Sequence, residues 1–182
     1  MERELEVKIL GIDLDDMEKK IITLGGRLIG KEKQINTLID SREKPIKSYV
    51  DAYLRIRETQ DLLHNEKSTE FTLKKSIDND NGLRDNIELT TEIKDKEMLL
   101  EILKNLGFDN IEVGFKERKS YEFMEARLDF DQWDKETYPF PYMEIEVKDM
   151  KHLNEITKSL QIPQENISTK SIVQLRKVLK RV

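Results

Sequence analysis

The chain has 182 residues and no cysteine, which removes disulfides, thiolate metal sites and cysteine nucleophiles together. Charged residues make up 38% of it, with 32 Lys and Arg against 37 Asp and Glu, where roughly 25% is usual for a globular domain. The net charge of -5 argues against a nucleic-acid binder, and two histidines are too few for a His-rich metal centre.

No apolar run approaches the roughly 18 residues of a membrane span, and the first residues, Met1-Glu2-Arg3-Glu4, lack the apolar segment of a signal peptide. The expectation is a cytoplasmic protein built as one domain over residues 1–182, with no membrane and no nucleic-acid partner.

Residues 2–10 alternate strictly, with Glu2, Glu4, Glu6 and Lys8 on one face and Leu5, Val7 and Ile9 on the other, which is the period of a strand. Asp13 caps a helix carrying Leu14, Met17, Ile21 and Ile22 and stopped by Gly25-Gly26. Strands are expected near 32–40, 52–58 and 67–76, then a polar turn over 78–82 and a strand over 84–93. A helix near 95–106 ends at Gly107, and strands follow near 112–123, 125–131 and 142–149. Helices near 152–161 and 169–181 complete eight strands and four helices.

Nearly every strand has one charged face, and the charges sort by strand. Glu4, Glu6 and Lys8 share a face; so do Arg55 and Arg57, Thr72 and Lys74, Arg84 and Glu88, Lys116 and Arg118, Asp129 and Asp131, and Glu144 and Glu146. One such face is ordinarily solvated. Here helices must pack on the apolar faces, and eight antiparallel strands are about the number that closes a small barrel. Closure would turn the charge inward and make a polar tunnel. Confined charges must pair or bind something. Basic groups suit a polyanion, and clustered carboxylates suit a hard divalent cation. Polyphosphate plus metal satisfies both.

The same residues resemble a known family. Glu4-Leu5-Glu6-Val7-Lys8 is similar to the ExExK signature of the CYTH superfamily, the triphosphate tunnel metalloenzymes. These include class IV adenylyl cyclases, thiamine triphosphatases and inorganic triphosphatases. Asn36–Asp40, Leu54-Arg55-Ile56-Arg57 and Phe71-Thr72-Leu73-Lys74 resemble its next segments. Leu106-Gly107-Phe108, Lys116-x-Arg118 with Tyr121, Leu128-Asp129 and Glu144-Ile145-Glu146 resemble the rest in order.

The resemblance implies an α+β fold, a closed or nearly closed eight-stranded antiparallel β-barrel with helices packed outside. It implies Mg2+ or Mn2+ on Glu4, Glu6, Asp129, Glu144 and Glu146, and a triphosphate held by Lys8, Arg55, Arg57, Lys74, Arg84, Lys116 and Arg118. Catalysis would fall to Glu4, Glu6, Lys8 and Glu88, and a homodimer is common among members. Thr90 stands where many members carry a further Glu, and residues 131–143 replace a glycine-containing turn.

The resemblance leaves three functions. Hydrolysis of tripolyphosphate or thiamine triphosphate is preferred, because it needs only the parts visible here. Conversion of ATP to cyclic AMP and pyrophosphate is the alternative, and a non-catalytic polyphosphate-binding module is the third. Elsewhere, Asn79, Asn81, Gly82 and Glu88 sit at EF-hand-like offsets, but Ile77 occupies the first ligand position, so a polar turn is expected. His64 reads as solvent-exposed, His152 as a helix-start residue, and the basic C-terminal segment as a packed amphipathic helix. Trp133, Tyr138, Phe140 and Tyr142 fit stacking on a base, or packing.

Overall fold

Side chains that alternate in character along eight successive strands need one environment on each side of the sheet, and a closed barrel supplies both. A computed structural model describes residues 2–77 and 82–179. In chain order the elements are β1 (Glu2–Ile9), α1 (Leu14–Thr23), β2 (Arg27–Asp40), β3 (Ala52–Asp61), β4 (Lys67–Ile77) and β5 (Arg84–Glu92). These are followed by α2 (Lys96–Asn105), β6 (Asn110–Phe123), β7 (Ala126–Trp133), β8 (Tyr142–Val147), α3 (Met150–Ser159), β9 (Ile167–Ser168) and α4 (Ile172–Leu179). The strands lie side by side as β5-β4-β3-β2-β6-β7-β8-β1, and β1 pairs back onto β5, closing the ring. Every pairing is antiparallel, so the expected α+β barrel is what forms.

The apolar core lies outside this barrel. Val7, Ile9, Leu128, Phe130, Met143 and Ile145 face outward and are sealed by Ile21 of α1 and Leu153, Ile156 and Leu160 of and after α3. A second cluster, Ile39 and Ile56 with Leu54 and Phe71, is covered by Leu99, Leu100 and Leu103 of α2. A third cluster is not on the outer wall: Leu175 of α4 packs on Tyr138 and on Tyr142, whose ring shares the inward face of Glu144 and lies 5.8 Å from Lys8 Nζ. The helices are started where expected: Asp13, Asp95 and Asp149 each accept a hydrogen bond from the backbone N–H three residues on, satisfying a donor the helix cannot. At Gly26 a Cβ would stand 2.3 Å from Ile21 Cγ2, so only glycine lets the chain turn back against α1.

Two features differ from the expectation. β2 begins at Arg27 rather than near 32, and a bulge between Leu28 and Gly30 restores its register with β6. β9 is a two-residue strand added beside Lys8 and Ile9, too short to leave a period. The turn residues 78–81, with the EF-hand-like offsets, and residues 180 and 181 of the expected last helix lie outside the described residues.

Candidate functional site

Closure turns the charged faces inward. Register sets which of them meet: Lys8 lies opposite Glu144, Glu6 opposite Arg84 on one side and Glu146 on the other, Lys74 opposite Glu88, and Arg118 opposite Asp131. The thirteen residues expected for the site are all on these strands, and most engage one another in two clusters.

The first cluster centres on Lys74. Its Nζ lies 2.5 Å from Glu4, 2.7 Å from Glu88 and 3.7 Å from Glu6. Arg84 donates to Glu6 at 2.8 Å, and Asn86 donates to the same oxygen at 3.2 Å. Burial works against the Lys74 cation, but Glu6, Glu88 and Glu4 outweigh it and raise its pKa. Burial raises the Glu4 carboxyl and neighbouring Glu88 adds to that, against the pull of Lys74. Glu88 is also disfavoured by burial, yet Lys74 and Arg55 hold it below the usual carboxylate range.

The second cluster centres on Arg118. Its guanidinium reaches Asp129 at 2.5 Å, both oxygens of Asp131 at 2.6 Å and Glu144 at 2.7 Å. Lys116 lies 3.0 Å from Asp131, and Lys8 lies 2.8 Å from Glu144. Burial opposes the Glu144 charge, but Lys8, Arg118 and Lys116 hold its pKa well down. Burial, reinforced by Arg118, pushes the Lys116 ammonium down to about 7 in spite of Asp131.

Between the clusters the cations are in surplus. Among the described residues no ion pair is recorded for Arg57, whose Nε donates only to Asn36 Oδ1 at 3.3 Å. Burial, with repulsion from Arg55 and Arg118, lowers it to about 10. Arg55 has one long contact, 3.7 Å to Glu88, and its buried Nε has no acceptor. A wall of Arg55 and Arg57 therefore faces the tunnel short of negative charge, which is what an incoming polyanion would supply.

The oxygen-rich donor set fits a hard divalent cation. Among the described residues no three carboxylates converge as a ready metal cage, and those of the tunnel are engaged by Lys74, Arg84, Lys8 and Arg118. Lys74, Arg84, Lys8 and Arg118 would have to be drawn off these carboxylates before a cation could take their place.

Three groups in this lining were given no site role by the sequence. Asp131, with no exposed side-chain surface, organises Lys116 and Arg118. Gln34 and Asn36 of β2 also face the tunnel, each with a buried polar atom that lacks a partner. Their signal was the inward alternation of β2 and β7, and neutral amides do not stand out in a charged pattern. Thr90 joins Thr72 at 3.0 Å. His64, exposed, sits on Asp61, and His152 contacts the Met124 carbonyl; neither is in the tunnel. Trp133 donates to Tyr142 at 2.8 Å.

The comparisons bear on the family and the fold. Residues 2–174 match the CYTH domain family, and the chain belongs to it. A Methanocaldococcus jannaschii protein provisionally named an adenylate cyclase is 28% identical over 184 residues, covering 95% of this chain and 98% of that protein. A Pyrococcus horikoshii structure aligns with a TM-score of 0.76 at 24% identity, covering 94% of this chain and 98% of the other. A Hippeastrum protein, provisionally named an adenylyl cyclase and described as revealing a dominant triphosphatase activity, aligns at 0.62 and 15% identity over 94% and 91% of the two chains. The two structures share the fold. Among the described residues no helix is long and apolar enough to cross a membrane.

Proposed function

We propose that the chain is a divalent-metal-dependent triphosphatase, hydrolysing inorganic or organic triphosphate inside the barrel. The observation that carries the reading is the under-compensated pair Arg55 and Arg57 in one closed tunnel with Glu4, Glu6, Glu88 and Glu144. Phosphoryl transfer asks the protein for positioning and charge neutralisation more than for covalent chemistry.

Lys8, Arg55, Arg57, Lys74, Arg84, Lys116 and Arg118 hold the triphosphate extended and take up charge on the leaving phosphate. Glu4, Glu6, Asp129, Glu144 and Glu146 would hold Mg2+ or Mn2+, which when bound supplies Lewis-acid charge neutralisation. Glu4 and Glu6, with Glu88 beside them, orient the attacking water at the terminal phosphorus. A new P–O bond forms to water, the bridging P–O bond breaks, and tripolyphosphate yields orthophosphate and pyrophosphate. The triphosphatase described for the Hippeastrum protein, which shares the fold, supports this reading.

The second reading, class IV adenylyl cyclase, is favoured by the provisional name of the relative at 28% identity. There a ribose 3′-oxygen attacks the α-phosphorus and pyrophosphate leaves. Product analysis with Mg2+ and with Mn2+ separates the two: orthophosphate from tripolyphosphate or thiamine triphosphate supports hydrolysis, and cyclic AMP from ATP replaces it. Glu4→Gln combined with Glu6→Gln should lower turnover at least about 100-fold. Full turnover in that variant, or no product from any triphosphate, overturns the assignment.

A further inference from the structure

Neutral amides attract little notice in a charged lining, yet one of them, Asn86, sits within the Lys74 cluster. It lies on β5 between Arg84 and Glu88 on the inward face, opposite Glu4 in the register with β1. Asn86 is 0% exposed. Its Nδ2 donates at 3.2 Å to Glu6 Oε1, the same oxygen that accepts from Arg84. This contact fixes the sense of the amide, because the reverse orientation would set two oxygens against each other. The remaining atom, Oδ1, is buried, and among the described residues nothing donates to it.

A buried acceptor without a partner is costly and calls for one. The neighbours restrict what that partner is. The nearby cations are already engaged, Lys74 by Glu4 and Glu88 and Arg84 by Glu6. An anion is ruled out, since a carbonyl oxygen beside two carboxylates offers it no proton and only repulsion. A single water would satisfy Oδ1 but would leave Glu4 and Glu6 uncompensated once phosphate draws Lys74 and Arg84 away. A hard divalent cation satisfies all three, because carboxylate and amide carbonyl oxygens are the ligands it takes.

We propose that Asn86 is a neutral ligand of the divalent cation, its Oδ1 joining Glu4 and Glu6 while Nδ2 holds one oxygen of Glu6 in place. The inference rests on the metal-dependent reading of the tunnel and adds a donor that carries no charge. That neutrality suits the metal-free chain. A carboxylate at this position would add one more buried charge to the three that Lys74 and Arg84 already compensate.

The test uses the full chain with Mn2+ as the probe, alone and with a triphosphate analogue whose bridging oxygens are replaced by methylene groups, so that nothing turns over. Pulsed electron paramagnetic resonance on chain labelled with carbon-13 at the asparagine side-chain carbonyl identifies the ligand without any substitution. The unaltered chain should show the hyperfine coupling of a directly bound amide, and Asn86→Leu should lose it. In calorimetry Asn86→Leu should weaken Mn2+ binding roughly tenfold or more. Asn86→Asp keeps an oxygen ligand and adds charge, so it should restore the affinity or tighten it. A residue that only steadied Glu6 through its N–H would be damaged by Asp as much as by Leu. Equal weakening in the two variants, no weakening in Asn86→Leu, or no carbon-13 coupling in the unaltered chain overturns the assignment of Asn86 and leaves the metal reading standing on Mn2+ binding itself. Failure of Mn2+ to bind in either condition overturns the metal reading, and the Asn86 ligand with it.

Discussion

Asp131→Asn removes one negative charge from the most enclosed point of the tunnel and leaves the shape nearly unchanged. Asp131 has no exposed side-chain surface; it holds Arg118 through two contacts of 2.6 Å and Lys116 through one of 3.0 Å. Removing one partner of a buried ion pair costs about 3–5 kcal/mol. Arg118 keeps Asp129 at 2.5 Å and Glu144 at 2.7 Å. Lys116, already near 7, can shed its proton rather than remain an uncompensated cation. Both reliefs put the loss at the low end, about 3 kcal/mol, equivalent to about 6–12 °C in Tm for a chain of this size. The loss should also depend on pH. Above about 7 Lys116 is neutral with or without Asp131, so only the Arg118 part is felt; below it, the unaltered chain pairs a charged Lys116 with Asp131, and the variant must either bury that charge without a partner or give up the proton. Thermal and urea unfolding at pH 6 and pH 8.5 should therefore give the larger loss at pH 6. A loss under about 1 kcal/mol, or one that grows with pH, would refute this account of Asp131.

Arg57→Ala should leave Tm unchanged or raised, because it deletes a recessed cation for which no carboxylate partner is recorded among the described residues. Tripolyphosphate affinity, read by calorimetry, should fall about tenfold or more as a charge-assisted contact is lost. Affinity should also fall as pH rises through about 7, when Lys116 gives up its proton, and Lys116→Arg should remove that alkaline decline. The contribution of Lys116 to folding has the opposite sign: between about 7 and its ordinary value of 10.5 the unfolded chain keeps a proton the folded chain has lost, so stability rises with pH across that window. Mg2+ and tripolyphosphate should each tighten the other's binding by the same factor in calorimetry; independent binding would contradict the exchange of partners proposed for the tunnel.

The barrel was legible because the signal for it is redundant. Alternation in β1, β3, β4, β5 and β8 separates Leu5, Val7, Ile56, Leu73, Ile145 and Val147 from the charges, and a one-residue slip would expose every apolar side chain. The start of β2 was not legible: residues 27–31 break the period, and only pairing with β6 across a bulge makes them a strand. The site divides the same way. Charged tunnel residues stood out by type and spacing. Asp131 was among them, but its role was not legible, because what distinguishes it from Asp129 is Lys116 and Arg118 brought onto it by the neighbouring strand. Gln34 gained meaning only from its partners, since one buried amide contact to Glu32 turns an ordinary polar residue into an oriented acceptor.

The near-balance of charge along the chain follows from how such a tunnel must exist without its ligands. Seven confined cations facing empty space would oppose folding, and so would the carboxylates by themselves. Interleaving them lets Lys74 borrow Glu4, Glu6 and Glu88, and lets Arg118 borrow Asp129 and Glu144. The loan is incomplete at Arg55 and Arg57, which keeps a site of first contact open for a polyanion. On the proposed reading, phosphate at Lys74 and Arg118 would leave the carboxylates they hold short of positive charge, which is the condition for taking a divalent cation. Each partner would thereby prepare the site for the other, and a protein with balanced total charge can still hold a strongly polarised site.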